Sequence, residues 1–333
     1  MGQGKSFEGT PLVSVAMTTY NGEKFLREQI DSILNQTYQN LEIVICDDCS
    51  TDGTFGILEE YGRRDSRIKL RRNERNLGFI KNFEQAVSLC TGEFIALSDQ
   101  DDIWEPWKLE ESVNNIEGYD LLCTNSLLVD EDGESLGYTL KDSLECHSIP
   151  NDQEMLFKHL CFHNFVQGAT ILAPASFLKS VAPVPEKFMG IGLHDYWYAL
   201  NAVNGNGIVY LDVCSLRYRQ HGRQVTVNTK RPHFSQQLVT TLSSDEQANH
   251  ICWCDKHSVL QDVVLHSFAL PPEKSRFIED TKKYFEHMKD KDWFTFCFFV
   301  KYHDAMYLDK NFFRKTLRIA KRFLGLIKHR LSA

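Results

Sequence analysis

Three short polar strings hold most of the side chains in this sequence that could do chemistry. Ser98-Asp99-Gln100-Asp101-Asp102 packs three carboxylates into four positions. Crowded carboxylates repel one another and raise each other's pKa unless a cation neutralises them. Hard oxygen donors on a loop, shared with phosphate oxygens, suit Mg2+ or Mn2+. The plainer alternative is a solvated acidic turn at a helix start. Ile103-Trp104, placed to anchor the loop, and the two other strings favour the metal. In Asp47-Asp48-Cys49-Ser50-Thr51-Asp52-Gly53, a carboxylate can accept from a nucleobase N–H or a ribose hydroxyl. A helix start there would favour phosphate, and Ser50 or Asp52 would serve equally as its cap. Thr18-Thr19-Tyr20-Asn21-Gly22 is the third string, a polar turn.

The elements around these strings decide whether they meet. Residues 12–17 and 41–46 are short β-rich runs, 68–71 a third, and 93–98 a fourth. Between them Phe25, Leu26, Ile30, Ile33 and Leu34, then Phe55, Leu58 and Tyr61, recur near helical spacing, and 79–89 reads as a further helix. Strands alternating with helices predict a parallel, right-handed α/β sheet. Ligands of such sheets sit beyond the carboxyl ends of the strands, where all three strings fall. From about residue 120 the pattern changes to a hairpin, 121–129 and 135–139 around Asp132-Gly133. A strand at 167–172, a helix at 196–203 and a strand at 207–211 follow, and residues 233–333 read as mostly helical. The division expected is 1–230 and 231–333.

Taken together, residues 15–22, 47–53 and 98–104 resemble the family 2 inverting glycosyltransferases of the GT-A fold, over roughly residues 10–225. The resemblance implies a Rossmann-like α/β mixed sheet flanked by helices, a nucleotide-diphosphate sugar donor, and Mn2+ or Mg2+ held through the Asp-X-Asp element. It implies that Thr19, Tyr20, Asn21, Asp47 and Asp48 hold the nucleoside. The stretch 75–83 is similar to one packing beside the nucleotide, which brings in Asn76, Gly78, Lys81 and Asn82. Asp99, with Gln100 beside it, would engage the donor, and Asp99, Asp101 and, in competition, Asp102 the metal. The general base expected near a helix start falls on Asp195, where His194 stands in place of the family's common Glu. Simple capping of the following helix is the alternative for Asp195. Trp104, His194, Tyr196 and Trp197 would face the acceptor.

Residues 216–222, Leu-Arg-Tyr-Arg-Gln-His-Gly, resemble a segment of rhamnosyltransferase-like members, although Arg223-Gln224-Val225 departs from their pattern. Imidazole is a competent metal ligand and guanidinium a good diphosphate clamp, so His221 is expected as a metal ligand and Arg219 as a phosphate partner. The resemblance makes dTDP-L-rhamnose the expected donor, with UDP-hexoses open, and a lipid-linked or surface glycan the expected acceptor.

Composition sets the outer bounds. The chain of 333 residues carries 37 Lys and Arg against 45 Asp and Glu, a formal charge of −8, which argues against nucleic acid as partner. Residues 310–333 hold eight Lys and Arg and no acid, so the body is the more acidic. Phe313, Leu317, Ala320, Leu324, Ile327 and Leu331 make one apolar face of a basic helix there. Such a helix suits an anionic membrane interface, or packs on the acidic body. No apolar run is long enough to span a bilayer and the first ten residues have no signal-like core. A cytoplasmic protein, peripheral on the inner face of the membrane, is expected, its ten Cys reduced. Cys46, Cys49, Cys252 and Cys254 are read as packing residues rather than zinc ligands. A silent sugar-nucleotide-binding module is the main rival; a nucleotidyltransferase lacks its Gly-rich phosphate loop here, and a glycosidase would need no nucleotide turn.

Overall fold

The computed structural model describes residues 9–144, 149–189, 191–222, 244–287 and 293–307. The elements run β1 (Val13–Thr19), α1 (Leu26–Leu34), β2 (Leu41–Asp47), α2 (Thr54–Arg64), β3 (Ile68–Arg72), α3 (Phe79–Leu89) and β4 (Phe94–Ser98). Next come β5 (Ile103–Trp104), α4 (Lys108–Asn115), β6 (Leu121–Val129), β7 (Ser135–Thr139), α5 (Leu140–Ser143) and α6 (Gln153–Leu160). The chain continues through a 3-10 turn (Gly168–Thr170), β8 (Leu172–Pro174), α7 (Ala175–Ser180), α8 (Glu186–Met189), α9 (His194–Asn204) and β9 (Ile208–Arg219). Three helices follow: α10 (Ser244–Ser267), α11 (Pro272–His287) and α12 (Trp293–Tyr307).

The strands form one mixed sheet in the order β3-β2-β1-β4-β8-β6-β9-β5, with β7 paired to β6. β1, β2 and β4 are buried along their whole length, so they read as continuous apolar runs rather than alternating ones. Val13, Val15 and Met17 join Ile43 and Ile45 in a core with Leu26, Ile30 and Ile33 of α1 and Leu58 of α2. β3-β2-β1-β4 are parallel neighbours. β8 runs antiparallel to both β4 and β6, and β6 is parallel to β9. Two reversals cancel, so β1, β2, β3, β4, β6 and β9 all point one way. Their carboxyl ends, from Thr19 to Arg219, share one edge of the sheet.

Asp132-Gly133 turns the β6–β7 hairpin as expected, with Gly133 at φ 83°. The expected strand at 167–172 differs. Gln167–Ile171 tightens instead into the 3-10 turn, Thr170 N–H and Ile171 N–H donating back to Gln167 and Gly168 carbonyls, and only then does β8 begin. At the opposite edge of the sheet Glu42 of β2 is a buried carboxylate. Ser14 Oγ, Thr91 N–H, Thr91 Oγ1 and Lys69 Nζ all donate to it. Burial would raise its pKa, but those donors outweigh burial and hold the Glu42 carboxyl down at about 2.

By packing, the chain divides into two units. The first takes Met1–Lys141, Val166–Pro185 and Leu193–Asn228, the second Asp142–Phe165, Glu186–Gly192 and Thr229–Ala333. A single cut at 230 does not express this division, because 142–165 and 186–192 pack with the later helices. The second unit has an aromatic core, Phe162 lying 6.1, 6.0 and 6.3 Å from Phe277, Phe285 and Phe298. Among the described residues no helix is long and apolar enough to cross a membrane. The basic face at 310–331 and Val225 lie outside the described residues.

Candidate active site

Each sequence string sits on the shared edge because a strand delivers it there and a loop turns it outward. After β1, Tyr20 leaves the sheet with its ring 48% exposed, the rest of the turn being tied down. Asn21 adopts a left-handed conformation (φ 49°), its Oδ1 accepting from Thr51 N–H at 2.8 Å. Gln100 clamps the Tyr20 backbone from across the site: Tyr20 N–H donates to Gln100 Oε1 at 2.8 Å and Gln100 Nε2 to Tyr20 O at 3.1 Å. Gly22 is needed beneath this clamp, because a Cβ there would lie 2.2 Å from Gln100 Oε1. Gln100 therefore joins the first string to the third, a positioning role where a donor contact was expected.

The two acids after β2 also turn inward. Asp47 is fully buried and accepts from Thr19 Oγ1 (3.0 Å), Ser50 N–H (3.0 Å) and Ser50 Oγ (2.5 Å), with Arg72 Nε at 3.6 Å. Three hydrogen bonds and one longer ion pair thus hold the carboxylate. Asp48, 2% exposed, accepts from Asn73 Nδ2 (2.8 Å), Leu77 N–H (2.8 Å) and Gly78 N–H (2.9 Å). Both tie down the loops that follow β2 and β3, where direct contact with the nucleoside was expected. Asn82 is likewise 1% exposed and bonded to Cys46 O and Asn73. Cys46 is a buried free thiol, pushed up to about 11 by burial, and Cys49 is also free. Asn76 is exposed, its Oδ1 accepting from Gly78 N–H, and Lys81 pairs with Glu84 at 2.8 Å. Gly78 opens α3 at φ 81°, a backbone glycine tolerates freely.

The third string brings charge together. Burial raises the Asp99 carboxyl above the ordinary carboxylate range, and the charges of Asp101 and Asp195 raise it further. Two acids from β4's end thus share a field with an acid from the start of α9. Asp101 Oδ2 lies 2.9 Å from His221 Nε2, both side chains largely buried. Asp102 behaves differently. It is fully buried, its Oδ1 accepts from Arg219 N–H at 3.2 Å and its Oδ2 has no partner. Burial and the charges of Asp101 and Asp99 raise the Asp102 carboxyl against the charge of Arg219, and burial lowers Lys108, itself 1% exposed, to about 7 against the charge of Asp102. Asp102 thus supports the Arg219 backbone through one oxygen and leaves the other unpartnered.

Asp195 lies in the first turn of α9, 8% exposed; Leu193, not Asp195, is the capping position. Its Oδ2 accepts from Gly168 N–H at 3.2 Å and its Oδ1 from Tyr196 N–H at 2.6 Å. His194 beside it is stacked on Phe83 at 4.2 Å and lowered to about 3 by burial, hence neutral. The four side chains expected at the acceptor, Trp104, His194, Tyr196 and Trp197, are exposed by only 2, 5, 7 and 6%. Trp104 belongs to the core and Trp197 Nε1 donates to Val181 O. They build the wall behind the site, because α9 is buried on nearly every face. Arg219 is also buried, and Nε, Nη1 and Nη2 each donate to a protein oxygen.

Sequence reasoning missed Gly168, Asn73 and Lys108. Gly168 lies in what reads as a strand, and Lys108 as an ordinary surface lysine. Asn73, between Arg72 and Glu74, gives no local signal of its hub position among Asp48, Asn82 and Gln85.

Among the described residues no three His, Cys, Asp or Glu side chains already surround one point as metal ligands. The donor chemistry nonetheless fits a hard divalent cation. Asp101 and His221 are in contact and Asp99 carries a raised pKa that a cation would relieve. Mg2+ is commonly held by one or two carboxylates, phosphate oxygens completing the sphere.

Residues 14–175 match the model of glycosyl transferase family 2. An uncharacterized glycosyltransferase of Haemophilus influenzae is 28% identical over 339 residues, covering 96% of this chain and 98% of that protein. The UDP-Glc:alpha-D-GlcNAc-diphosphoundecaprenol beta-1,3-glucosyltransferase WfgD of Escherichia coli is 41% identical over 127 residues, 37% of this chain and 49% of its own length. The mannosyltransferase PcManGT of Pyrobaculum calidifontis, solved with GDP-Man and Mn2+, superposes with a TM-score of 0.52 at 15% identity, over 97% of this chain and 87% of that one.

Proposed function

We propose that the chain, whose residues 14–175 match the model of glycosyl transferase family 2, acts as such a transferase and moves a sugar, with inversion, from a nucleoside-diphosphate donor to a hydroxyl of a lipid-linked or surface glycan. One observation supports the reading: Asp99 and Asp101, from the loop after β4, meet Asp195, from the start of α9, closely enough that the charges of Asp101 and Asp195 both act on Asp99. Asp195 is the general base, held by the Gly168 amide on one oxygen. It accepts the proton as the acceptor oxygen bonds to the anomeric carbon and the carbon–oxygen bond to the diphosphate breaks on the opposite face. Such a base contributes about 10²–10⁴-fold. Asp99, Asp101 and His221 would hold the divalent cation, which when bound neutralises charge on the departing diphosphate. Tyr20, Asn21 and Asn76 line the nucleoside side.

Two donors compete. Arg217–Gly222 favours dTDP-L-rhamnose by resemblance, while the relative WfgD names UDP-Glc and a diphosphoundecaprenol acceptor. A lipid-linked acceptor would bring the protein to the inner membrane face, with 310–331 as its contact.

Calorimetric titration with dTDP, UDP and GDP, each with and without Mn2+, tests the reading. Binding that Mn2+ tightens supports it, and the preferred base selects the donor. A folded sample that binds none of the three overturns it in favour of a silent module.

A further inference from the structure

Arg219 stands where a phosphate partner is expected, yet its guanidinium is among the most buried groups in the protein, 2% exposed. Its three edges are spent on three different segments. Nε donates to Asp101 O at 2.9 Å, Nη1 to Glu131 O at 2.7 Å, and Nη2 to Glu28 Oε2 at 2.5 Å. The face of the group lies 4.7 Å from the Phe25 ring centroid, and its own N–H donates to Asp102. Gly133 closes the turn that delivers Glu131 O, a Cβ at that position falling 3.7 Å from Nη1. Two residues on, His221 comes back to the same aspartate from the other side, Nε2 lying 2.9 Å from Asp101 Oδ2 and the ring 4.9 Å from Phe25.

We propose that Arg219 is a positioning residue that fixes the main chain of Asp101 so that its carboxylate and the His221 imidazole converge as a pair of cation ligands. The proposal rests on the glycosyl-transfer reading of this site for what the pair is used for, but its geometry stands apart from it. Asp101 is gripped twice, by the backbone through Arg219 and by the side chain through His221, with Phe25 backing both. A diphosphate that turned this guanidinium towards itself would strip the Asp101 and Glu131 carbonyls of their donor, and unpaired buried acceptors are costly. Nor would lysine replace it, since a single ammonium cannot span three acceptors that a planar fork reaches at once.

The test compares wild type, Arg219→Lys and Glu28→Gln by hydrogen–deuterium exchange and by titration with UDP and dTDP, with and without Mn2+. In Arg219→Lys, exchange should rise in 99–104 and 130–134 while β1 and β2 stay protected. The gain in nucleotide affinity conferred by Mn2+ should fall about tenfold, the effect expected when support behind metal ligands is lost, and metal-free affinity should hold within about twofold. Glu28→Gln should move both readouts the same way by less, since Glu28 is half exposed and reaches the loop through Arg219. If Arg219→Lys fails to fold, Glu28→Gln carries the comparison. A fall in metal-free nucleotide affinity with unchanged exchange in 99–104 would overturn the proposal and make Arg219 a phosphate ligand. If wild type binds no nucleotide at all, the transferase reading fails, and the exchange arm still decides whether Arg219 holds the loop.

Discussion

The amide of Gly168 donates to Asp195 Oδ2 at 3.2 Å, and the space beside it has no room for a side chain: a Cβ on Gly168 would stand 3.2 Å from His194 Nε2 and 3.7 Å from Asp195 Cβ. One glycine therefore both orients the candidate base and lets the neutral His194 ring close against the turn.

Gly168→Ala should push the His194 ring away and swing the Asp195 carboxylate off its amide. The overpacking should cost about 1–3 kcal/mol of stability. Turnover should fall by roughly tenfold as the base loses its alignment, while donor-nucleotide affinity stays put. Thermal melts and steady-state kinetics on the same sample check this. A variant with full activity would show that the amide contact is incidental.

Asp195→Asn keeps the shape of the side chain and removes its proton affinity. Transfer should drop by about 10²–10⁴-fold, with nucleotide binding within about twofold of wild type. Lost binding, read by calorimetry, would make Asp195 a scaffold of α9 instead of a base.

Asp48→Ala would leave the Leu77 and Gly78 amides and Asn73 Nδ2 without their shared acceptor. The expected loss is about 1–3 kcal/mol for buried donors left unpaired, seen in urea unfolding. Nucleotide affinity should weaken through disorder at 76–78, and Asp48→Asn should recover little, since an amide oxygen accepts less strongly than a carboxylate.

Glu42 supplies a pH test remote from the site. Its folded-state carboxyl, at about 2, lies below the ordinary 4.5. The unfolded chain thus binds more protons between those values, so the Glu42 contribution is present above about pH 4.5 and is lost as pH falls towards 2. Glu42→Gln should lower stability at pH 7 and flatten the loss between pH 4.5 and pH 2 relative to wild type. Urea midpoints across that range would read it, and parallel curves for the two proteins would reject the assignment.

Much of the fold is legible from local pattern. The helix at 79–89 is legible as a helical stretch and the strands expected at 41–46 and 68–71 as short β-rich runs, while Asp132-Gly133 follows from the turn's need for a positive φ. The polar strings at strand ends marked the right edge because parallel strands put all their carboxyl termini on one side. Residues 167–171, Gln-Gly-Ala-Thr-Ile, misled, since so short a mixed run has no periodicity to separate a strand from a tight turn.

The chain's residue types and order decide that acids, an imidazole and a guanidinium gather beside Tyr20 and Asn21, because side-chain chemistry and strand direction are local properties. Which of those groups face outward was decided by packing between segments far apart in sequence. Asp47, Asp48, Asp102, Arg219 and the aromatic residues around Asp195 carry the right chemistry for a ligand, yet each meets a partner or a wall that no spacing announces. A buried polar group takes whatever partner the tertiary structure brings within hydrogen-bond reach. Lys108 comes under the charge of Asp102 only in the folded chain, and Gly168 meets Asp195 only once β8 has reversed the chain beside β4.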